Sequence, residues 1–337
     1  MAAAQSETVV KSGKEPVTVD KFVRAETDTY MRGYAEKFDG FGKINHYRNL
    51  VPIDKQGVIR MNRDTLYSYG IFDLTLPVTI HKPNPAGRFQ SMIVINQDHY
   101  VKLLSHDAGS YTLDRAAMET RYVAVIFRTL INESEPGDVA QVNELQDQIT
   151  FEQQSTGKLE LPDWDQSALK IIRESLLVLA AHMGDISKRF GDKNEVDPVQ
   201  HLVGTASGWG GNPLKAAKYL NVFPENNDGR MPYVLTFGQV PVDGFWSITV
   251  YNKEGFIERN DRNVYVMNDR TVTADADGSV TIHFGGDPKA ANYMPIIKGW
   301  NYTVRMYQPK EEILSGKWRF PNSEVAFSSA LSSAGRG

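Results

Sequence analysis

The sequence changes its pattern near residue 219, and this change constrains the possible folds more than any other feature. Beyond that point only short runs of apolar and aromatic residues remain, separated by turn sequences such as Asp277-Gly278 and Gly285-Gly286. Short strands at regular spacing, joined by tight turns, are typical of β-sandwiches and jelly rolls. The strands are predicted at residues 233–237, 245–251, 263–267, 279–284 and 302–307.

The first two thirds of the chain mix helical and strand periodicity. Apolar residues recur near a 3.6-residue period in three segments, and Asp165 offers a capping side chain at the start of the last one. A Gly-rich connection follows at 197–213. Helices are predicted at residues 18–38, 138–153 and 165–190. Strands, where β-branched and apolar residues cluster, are predicted at 76–80, 89–95, 101–104 and 122–128.

These patterns predict an α+β fold with two domains. An N-terminal α+β domain with a helical connection is expected at residues 18–200, and an antiparallel, jelly-roll-like β-sandwich at residues 201–325. Residues 1–17 are predicted to be a flexible N-terminus, and the residues 326–337, rich in Ser, Ala and Gly, a disordered tail. A chain of 337 residues is long enough to form two separate cores.

Composition argues against several classes of site and partner. The chain has no cysteine, so we expect no iron–sulfur cluster, disulfide framework or thiol nucleophile. Its net charge is −4 and no run of Lys or Arg forms a basic patch, so we expect no nucleic-acid partner. No apolar stretch approaches the roughly 18 residues that a transmembrane segment needs, so none is expected.

The standard catalytic motifs are also missing. The chain has no G-x-S-x-G and no Walker A, and no G-x-G-x-x-G follows a strand, so we expect neither an α/β-hydrolase elbow nor a dinucleotide cofactor. No haem is expected either. None of the seven histidines forms an H-E-x-x-H pair, but His46 and His99, with Asp64 or Asp98, leave a site for a divalent metal open.

The densest group of functional side chains is the run RMNRDTLY at residues 60–67. Arginine can clamp a carboxylate or phosphate, while a neighbouring Asp acts as a base or orients the clamp. The alternative is a buried Arg–Asp pair that fixes a loop between the two halves. A second run, NQDHY at 96–100, directly follows a predicted strand, which is a common position for ligand contacts.

Several longer motifs resemble a known bacterial family. They are FVRAETDTY at 22–30, NRDTLYS at 62–68, GWGG at 208–211, VDGFWSITVYN at 242–252, DGSVTI at 277–282 and WNYTVRMY at 300–307. The family pairs two domains of unknown function, numbered twelve fifty-four and twelve fourteen. The resemblance covers roughly residues 17–321 and implies an α+β first domain and a jelly-roll-like second domain.

The resemblance has two further implications. Many similar proteins carry an export signal, and small residues such as Ala2 and Ala4 stand near the start of this chain. We therefore expect a periplasmic or secreted protein whose signal peptide is already absent, with the cytoplasm as the alternative. No established reaction comes with the resemblance, but it implies that six residues belong to the family pattern: Asn62, Arg63, Asp64, Tyr67, Trp246 and Arg305.

Two functions follow as hypotheses. The first is an enzyme, a hydrolase or lyase that acts on a small polar or anionic substrate near the Asn-Arg-Asp cluster. Its predicted catalytic residues are Asp64, His99 and Tyr67. Its predicted substrate-binding residues are Asn62, Arg63, Trp246 and Arg305. The second is a non-catalytic ligand-binding or structural envelope protein, because jelly rolls often bind sugars or assemble into homo-oligomers.

Overall fold

The computed structural model describes residues 13–184 and 186–326. Most of the predicted flexible N-terminus (1–17), including Ala2 and Ala4, lies outside this part, as does the predicted disordered tail (326–337) except for its first residue. Within the described part, Glu15 pairs with Trp164 and Val17 is buried. Residues 15–17 are therefore held against the N-terminal half rather than free of it.

The helices of the described residues are α1 (Phe22–Glu36), α2 (Arg115–Met118), α3 (Asp138–Asp147), α4 (Gln166–Ala180), α5 (Pro198–Gly208) and α6 (Glu311–Leu314), with a short 3₁₀ turn at Ile53–Lys55. The strands of the N-terminal half are β1 (Asn45–His46), β2 (Thr65–Asp73), β3 (Val78–Lys82), β4 (Gln90–Asn96), β5 (Val101–Ser105), β6 (Gly109–Leu113), β7 (Tyr122–Leu130) and β8 (Thr150–Gln153). Those of the C-terminal half are β9 (Ala217–Val222), β10 (Tyr233–Phe237), β11 (Trp246–Tyr251), β12 (Val266–Asn268), β13 (Val280–Phe284), β14 (Tyr293–Met294), β15 (Asn301–Tyr307) and β16 (Glu324–Val325).

The fold is mixed α+β, with few helices and several sheets whose strands are antiparallel apart from the β13–β14 pair. The N-terminal half contains a five-stranded sheet in the order β1-β2-β7-β4-β5 and a three-stranded sheet in the order β6-β3-β8. The C-terminal half contains two four-stranded sheets, in the orders β14-β13-β10-β16 and β12-β11-β15-β9.

The five-stranded sheet is covered on both faces, so every residue of β4 and β7 is buried. Side chains alternate between the faces along each strand. Val94 and Val125 join Ile80 of the three-stranded sheet in one hydrophobic cluster. Ile93 joins Met31 of α1 in a second cluster on the opposite face. The long apolar run of β7 thus reflects burial on two sides.

In the C-terminal half, the two four-stranded sheets share a single hydrophobic cluster. Leu235 and Ile282 enter it from one sheet, and Ile248 and Val304 enter it from the other, all fully buried. The opposite face of the β12-β11-β15-β9 sheet carries polar and aromatic residues that hydrogen-bond to the N-terminal half. The junction between the halves is therefore polar, and the candidate site lies beside it.

The three helix predictions were too long. α1 spans Phe22–Glu36 rather than residues 18–38. α3 ends at Asp147, and the following residues form β8, which pairs with β3. α4 begins after its predicted cap, Asp165, but it ends at Ala180 rather than at residue 190. Beyond Ala180 the hydrogen bonds span only three residues, and Gly184 follows, so the chain turns away.

The predicted Gly-rich connection contains a helix, α5. Asp197 caps it by accepting a hydrogen bond from the backbone N–H of Val199, and Pro198 occupies the first turn, where its missing N–H is not needed. This helix packs on α1 and α4 and crosses the predicted boundary at residues 200/201, whereas β9 pairs with β15. The division into two domains stays a prediction.

β2 and β9 were not predicted. β2 carries Gly70 in its middle, and glycine is depleted in strands. Glycine is required there because a Cβ on Gly70 would lie 2.4 Å from the carbonyl oxygen of Lys43. Since β2 begins at Thr65, the polar run at 60–67 is not one loop. It passes from a loop into a strand of the five-stranded sheet.

Candidate functional site

A cavity of about 650 Å³ opens between α1, the segment 47–58 and the start of β2. Phe38 and Val58 are 45% and 61% exposed and mark its mouth, whereas Leu66 is fully buried and marks its inner end. We call this space the aromatic cavity. Its aromatic lining residues are Tyr30, Tyr34, Phe38, Tyr47 and Tyr67.

At the inner end of the aromatic cavity, Tyr67 faces a buried arginine. Tyr67 and Arg128 are register partners in β2 and β7, so their side chains lie on the same face of the sheet. The guanidinium carbon of Arg128 lies 5.3 Å from the centre of the Tyr67 ring. Its Nη2 donates to the carbonyl oxygen of Gly210 at 2.6 Å. Its Nη1 is buried without a hydrogen-bond partner among the described residues.

This arrangement holds the pKa of Tyr67 below its usual value. Burial alone would raise that pKa, because it disfavours the charged phenolate. The positive charge of Arg128, and polar contacts with Arg128, Asn62 and Thr65, outweigh burial. The nearby phenol of Tyr34 shows the opposite behaviour, since burial raises its pKa. Tyr67 is therefore the phenol of this cavity that releases its proton most readily.

Asn62 forms the corner between the aromatic cavity and the protein interior. Its Oδ1 accepts the backbone N–H of Asp64 at 2.7 Å, which closes an Asx turn just before β2. Its Nδ2 donates to the hydroxyl of Tyr307 at 2.9 Å and to Oγ1 of Thr65 at 3.3 Å. Asn62 thereby links β15 of the C-terminal half to the cavity and keeps its amide beside Tyr67.

Asp64 lies in the junction between the halves rather than in the cavity, and it is fully buried. Its Oδ2 accepts a hydrogen bond from Oγ of Ser247 at 2.6 Å. Burial raises the pKa of Asp64, and the positive charge of Arg305 and the contact with Ser247 oppose that rise. Ser247 and Arg305 are register partners in β11 and β15, so the three residues form one buried polar network.

Arg305 holds the loop before β2 against the C-terminal half. Its Nη1 donates to Oγ1 of Thr249 at 2.8 Å. Its Nη2 donates to the hydroxyl of Tyr251 at 2.6 Å and to the carbonyl oxygen of Arg60 at 3.0 Å. The Tyr251 hydroxyl donates in turn to the carbonyl oxygen of Met61 at 2.8 Å. Arg305 thus makes its contacts inside the protein.

Arg63 points to a second cavity, of about 790 Å³, bounded by the segments 50–53, 131–134 and 259–271. We call this space the polar cavity. The Arg63 Nη2 donates to both carboxylate oxygens of Glu133, at 2.7 and 2.5 Å. Its Nη1 donates to the carbonyl oxygen of Val51 at 3.1 Å. The three consecutive residues of the Asn-Arg-Asp cluster therefore diverge into one cavity, another cavity and the interior.

His99 lies behind the wall of the aromatic cavity. It adopts a left-handed backbone conformation, with φ of 61°, in the turn between β4 and β5. Its Nε2 accepts the N–H of Gly210 at 2.9 Å, and its Nδ1 contacts Oγ1 of Thr205 at 2.8 Å. The Trp209 ring stacks between His99 and Tyr30, with centroid distances of 5.7 and 4.7 Å. Both nitrogens of the ring are therefore engaged inside the protein.

The buried His99 makes stability depend on pH. Burial, with a smaller effect of His201, holds the pKa of His99 well below its usual value. On acidification below about pH 6.5 the unfolded chain therefore binds a proton that the native protein does not, and stability falls. We expect His99→Gln to reduce the slope of the free energy of unfolding against pH, in this range, by about 1.4 kcal/mol per pH unit.

Urea unfolding at several pH values between about 4.5 and 7 measures that slope. His283→Gln is the control, because this histidine is part-exposed in β13. An equal slope in the wild type and in His99→Gln would contradict the prediction. Burial also lowers the pKa of His46 to about 4 and that of His106 to about 4, so part of the slope is expected to remain.

Trp246 belongs to the core of the C-terminal half. It is 6% exposed and packs edge-on against Phe237, with a centroid distance of 4.9 Å. Because neighbouring strand residues point to opposite faces, Trp246 points away from Asp64 while Ser247 points toward it. Asn62 and Tyr67 are therefore the two predicted site residues that line the aromatic cavity, and Arg63 lines the polar cavity.

Sequence reasoning missed Arg128 as a site residue. A usable signal existed, because Arg128 is the single charged residue of the fully buried strand β7. Tyr219 and Tyr307, whose phenols interact with the same guanidinium, were also missed. Arg128 and Tyr307 are buried, and Tyr219 is partly buried. In the sequence these two tyrosines look like ordinary aromatic core residues. Only the pairing of β9 with β15, which places them close together, distinguishes them.

The described part of the chain contains neither a cluster of metal ligands nor a helix that could span a membrane. Within residues 13–184 and 186–326, no three His, Asp or Glu side chains come together as a group that could hold a metal ion. The Nδ1 of His46 instead contacts Oγ of Ser68 at 2.7 Å. In the same residues, no helix combines the length and apolarity needed to cross a bilayer.

Comparison with protein families bears on the domain pairing. "Protein of unknown function (DUF1254)" matches residues 41–113, and "Protein of unknown function (DUF1214)" matches residues 224–311. This chain pairs the two domains, DUF1254 followed by DUF1214. The pairing predicted from the sequence motifs is confirmed. The aromatic cavity is built largely from the DUF1254 region and from α1, whereas Ser247 and Arg305 belong to the DUF1214 region.

Solved structures support the fold. The VPA0106 protein from Vibrio parahaemolyticus is similar over 92% of this chain and 98% of its own, with a TM-score of 0.69 and 19% identity. An uncharacterized protein from Burkholderia cenocepacia is similar over 93% of this chain and 89% of its own, with a TM-score of 0.51 and 13% identity. No curated protein matches the sequence. These likenesses concern the mixed α+β fold alone.

Proposed function

We propose that this protein is an enzyme, a hydrolase or lyase, that binds a small molecule in the aromatic cavity and uses Tyr67 to move a proton. The observation that carries the proposal is the pairing of Tyr67 with Arg128 at the buried end of that cavity. A phenol whose pKa is lowered by a fixed cation is suited to general acid–base catalysis.

Unbalanced charge supports this role. Arg128 and Arg305 are both buried near the inner end of the cavity, and Asp64 is the buried carboxylate that interacts with Arg305. Two positive charges and one negative charge leave one positive charge in excess. An uncompensated buried charge is costly in free energy. A phenolate on Tyr67, or an anionic group of the substrate, would neutralise it.

The lining of the cavity narrows the substrate class. Rings and aliphatic side chains form most of the wall, and Asn62, Thr65 and Tyr67 supply polar groups at the inner end. Such a cavity suits a molecule with an apolar or aromatic body and one polar or anionic head. The head would contact Asn62 and Tyr67. This refines the small polar or anionic substrate expected from the sequence.

The other predicted site residues take different roles in this proposal. Asp64 and Arg305 act as positioning residues, because their network holds the loop that carries Asn62. His99 supports Trp209 and thereby the wall at Tyr30. We also propose that the C-terminal half is a jelly-roll-like β-sandwich, since its two sheets share one core. The periplasmic or secreted location and the homo-oligomeric state stay predictions.

The alternative is a ligand-binding or structural envelope protein without turnover. The wide apolar lining and the exposed apolar mouth at Phe38 and Val58 favour it, because both suit retention of a ligand. A titration and a substrate screen distinguish the two functions. The titration measures the ionisation of Tyr67, and the screen looks for a reaction that the protein catalyses.

In a spectrophotometric titration, we expect one of the 15 tyrosines to ionise below about pH 10, ahead of the others. This early step should be missing in Tyr67→Phe and retained in Tyr30→Phe, which alters another phenol of the same cavity. An early step that persists in Tyr67→Phe would refute the role of Arg128. The wild type is then screened on esters, lactones and phosphate esters with aromatic or alkyl bodies. Binding without turnover across the screen would favour the alternative.

A further inference from the structure

The polar cavity contains an arginine that its internal partner satisfies incompletely. Arg63 is 5% exposed at its side chain, whereas Glu133, its ion-pair partner, is 55% exposed. Glu133 is reached by Nη2 alone. The Nε of Arg63 is buried and has no hydrogen-bond partner among the described residues. One N–H of a buried guanidinium is thus left unused, which costs free energy.

Other arginines of the same protein show the complete arrangement. Arg24, Arg121 and Arg173 each donate to a carboxylate through both Nε and Nη2. In Arg121 these bonds reach the two oxygens of Asp73, at 3.1 and 2.8 Å. This edge of a guanidinium matches the spacing of carboxylate oxygens. On the same edge of Arg63, Nη2 donates to Glu133 but Nε does not.

The charges of the polar cavity also favour an anion. Its charged lining residues are three arginines, Arg63, Arg259 and Arg262, and one carboxylate, Glu133. Arg259 makes an exposed ion pair with Asp54 at 3.3 Å, and such pairs contribute little stability. The remaining polar groups are uncharged side chains such as Asn132, Asn268 and Thr271.

We propose that the polar cavity is a binding site for a small di- or tricarboxylate, and that Glu133 occupies it in the absence of ligand. One ligand carboxylate would bind the Nε–Nη2 edge of Arg63 and accept a hydrogen bond from the buried Nε, which Glu133 leaves unpaired. A second carboxylate would face Arg259 and Arg262. Glu133 would turn toward solvent, where most of its side chain already lies. This site is separate from the one that holds Tyr67 and does not depend on its function.

Isothermal titration calorimetry with citrate at low ionic strength tests the proposal on the full chain. Removing the internal competitor increases the fraction of free Arg63, so Glu133→Gln should lower the Kd for citrate at least about tenfold. Arg63→Lys, in the Glu133→Gln background, keeps the charge but loses the two-nitrogen edge and should weaken binding about tenfold or more.

The matched control is Glu160→Gln. Glu160 is also an exposed partner of an arginine, Arg121, but there Asp73 already fills the Nε–Nη2 edge. This variant changes the net charge by the same amount and should leave citrate binding at the wild-type level. Equal Kd values in the wild type and Glu133→Gln, or no binding by either, would overturn the proposal. Binding of inorganic phosphate as tight as that of citrate would overturn its carboxylate class.

Discussion

Arg305→Met is expected to lower the free energy of unfolding by about 3–5 kcal/mol, the usual cost of removing one partner from a buried charge network. Methionine retains much of the apolar volume but not the charge. Asp64 would then stay fully buried without the positive charge that opposes the rise of its pKa. The variant also removes the donors that hold Tyr251 and the carbonyl oxygen of Arg60. Chemical denaturation at neutral pH measures the loss.

A double-mutant cycle isolates the part due to charge. Asp64→Asn keeps the shape of the side chain and removes its charge, so the double variant leaves neither charge buried alone. We expect the double variant to be more stable than the sum of the two single changes predicts, by about 0.5–3 kcal/mol. Strict additivity would mean that Asp64 and Arg305 stabilise the junction independently.

Tyr67→Phe is expected to lower kcat by about 10²–10⁴-fold on any substrate that the wild type turns over, the range for loss of a general acid–base group. KM should change much less than kcat, because the ring, the cavity shape and the contact of the substrate head with Asn62 remain. Steady-state kinetics on a substrate from the screen measure both constants. Tyr30→Phe is the matched control, since it removes another hydroxyl from the same cavity and keeps the ring that stacks on Trp209.

The pH profile gives this prediction a second readout. If the phenolate of Tyr67 is the base, the rate rises with pH as Tyr67 ionises. Arg128→Met removes the cation that lowers this pKa, so the rise should move to higher pH, whereas Arg128→Lys should move it less. A kcat in Tyr67→Phe within a few-fold of the wild type, or an unmoved profile in Arg128→Met, would exclude Tyr67 as the base.

Four of the five strands predicted after residue 219 match β10, β11, β13 and β15 to within one residue at each end, because their patterns are local. The fifth, β12, begins three residues later than predicted, and the two-residue strands β14 and β16 were not predicted. β10 has the predicted bounds, Tyr233–Phe237, and the turns around it carry Gly or Asp at the expected places. The helices were less predictable at their ends. Nothing in the apolar period of α4 distinguishes the helix up to Ala180 from the turn that follows it.

The candidate site was only partly predictable, because it depends on strand register. Asn62, Arg63 and Asp64 are adjacent in sequence, yet an Asx turn and the start of β2 send their side chains in three directions. Arg128 reaches Tyr67 only through the pairing of β2 with β7. The turn is local, but the bounds of β2 and its pairing with β7 depend on residues far away in the sequence. The run of functional side chains at 60–67 therefore could not show whether they line one cavity or several.

The segment at Leu50 and Val51 forms a wall that the two cavities share, and this couples their ligand affinities. These two residues line the aromatic cavity and the polar cavity alike, and the carbonyl oxygen of Val51 is held by Arg63. A ligand that moves this shared wall in one cavity changes the binding free energy in the other. By thermodynamic linkage the effect is equal in both directions. The ligand of the aromatic cavity must change the affinity for the ligand of the polar cavity by the same factor as the reverse.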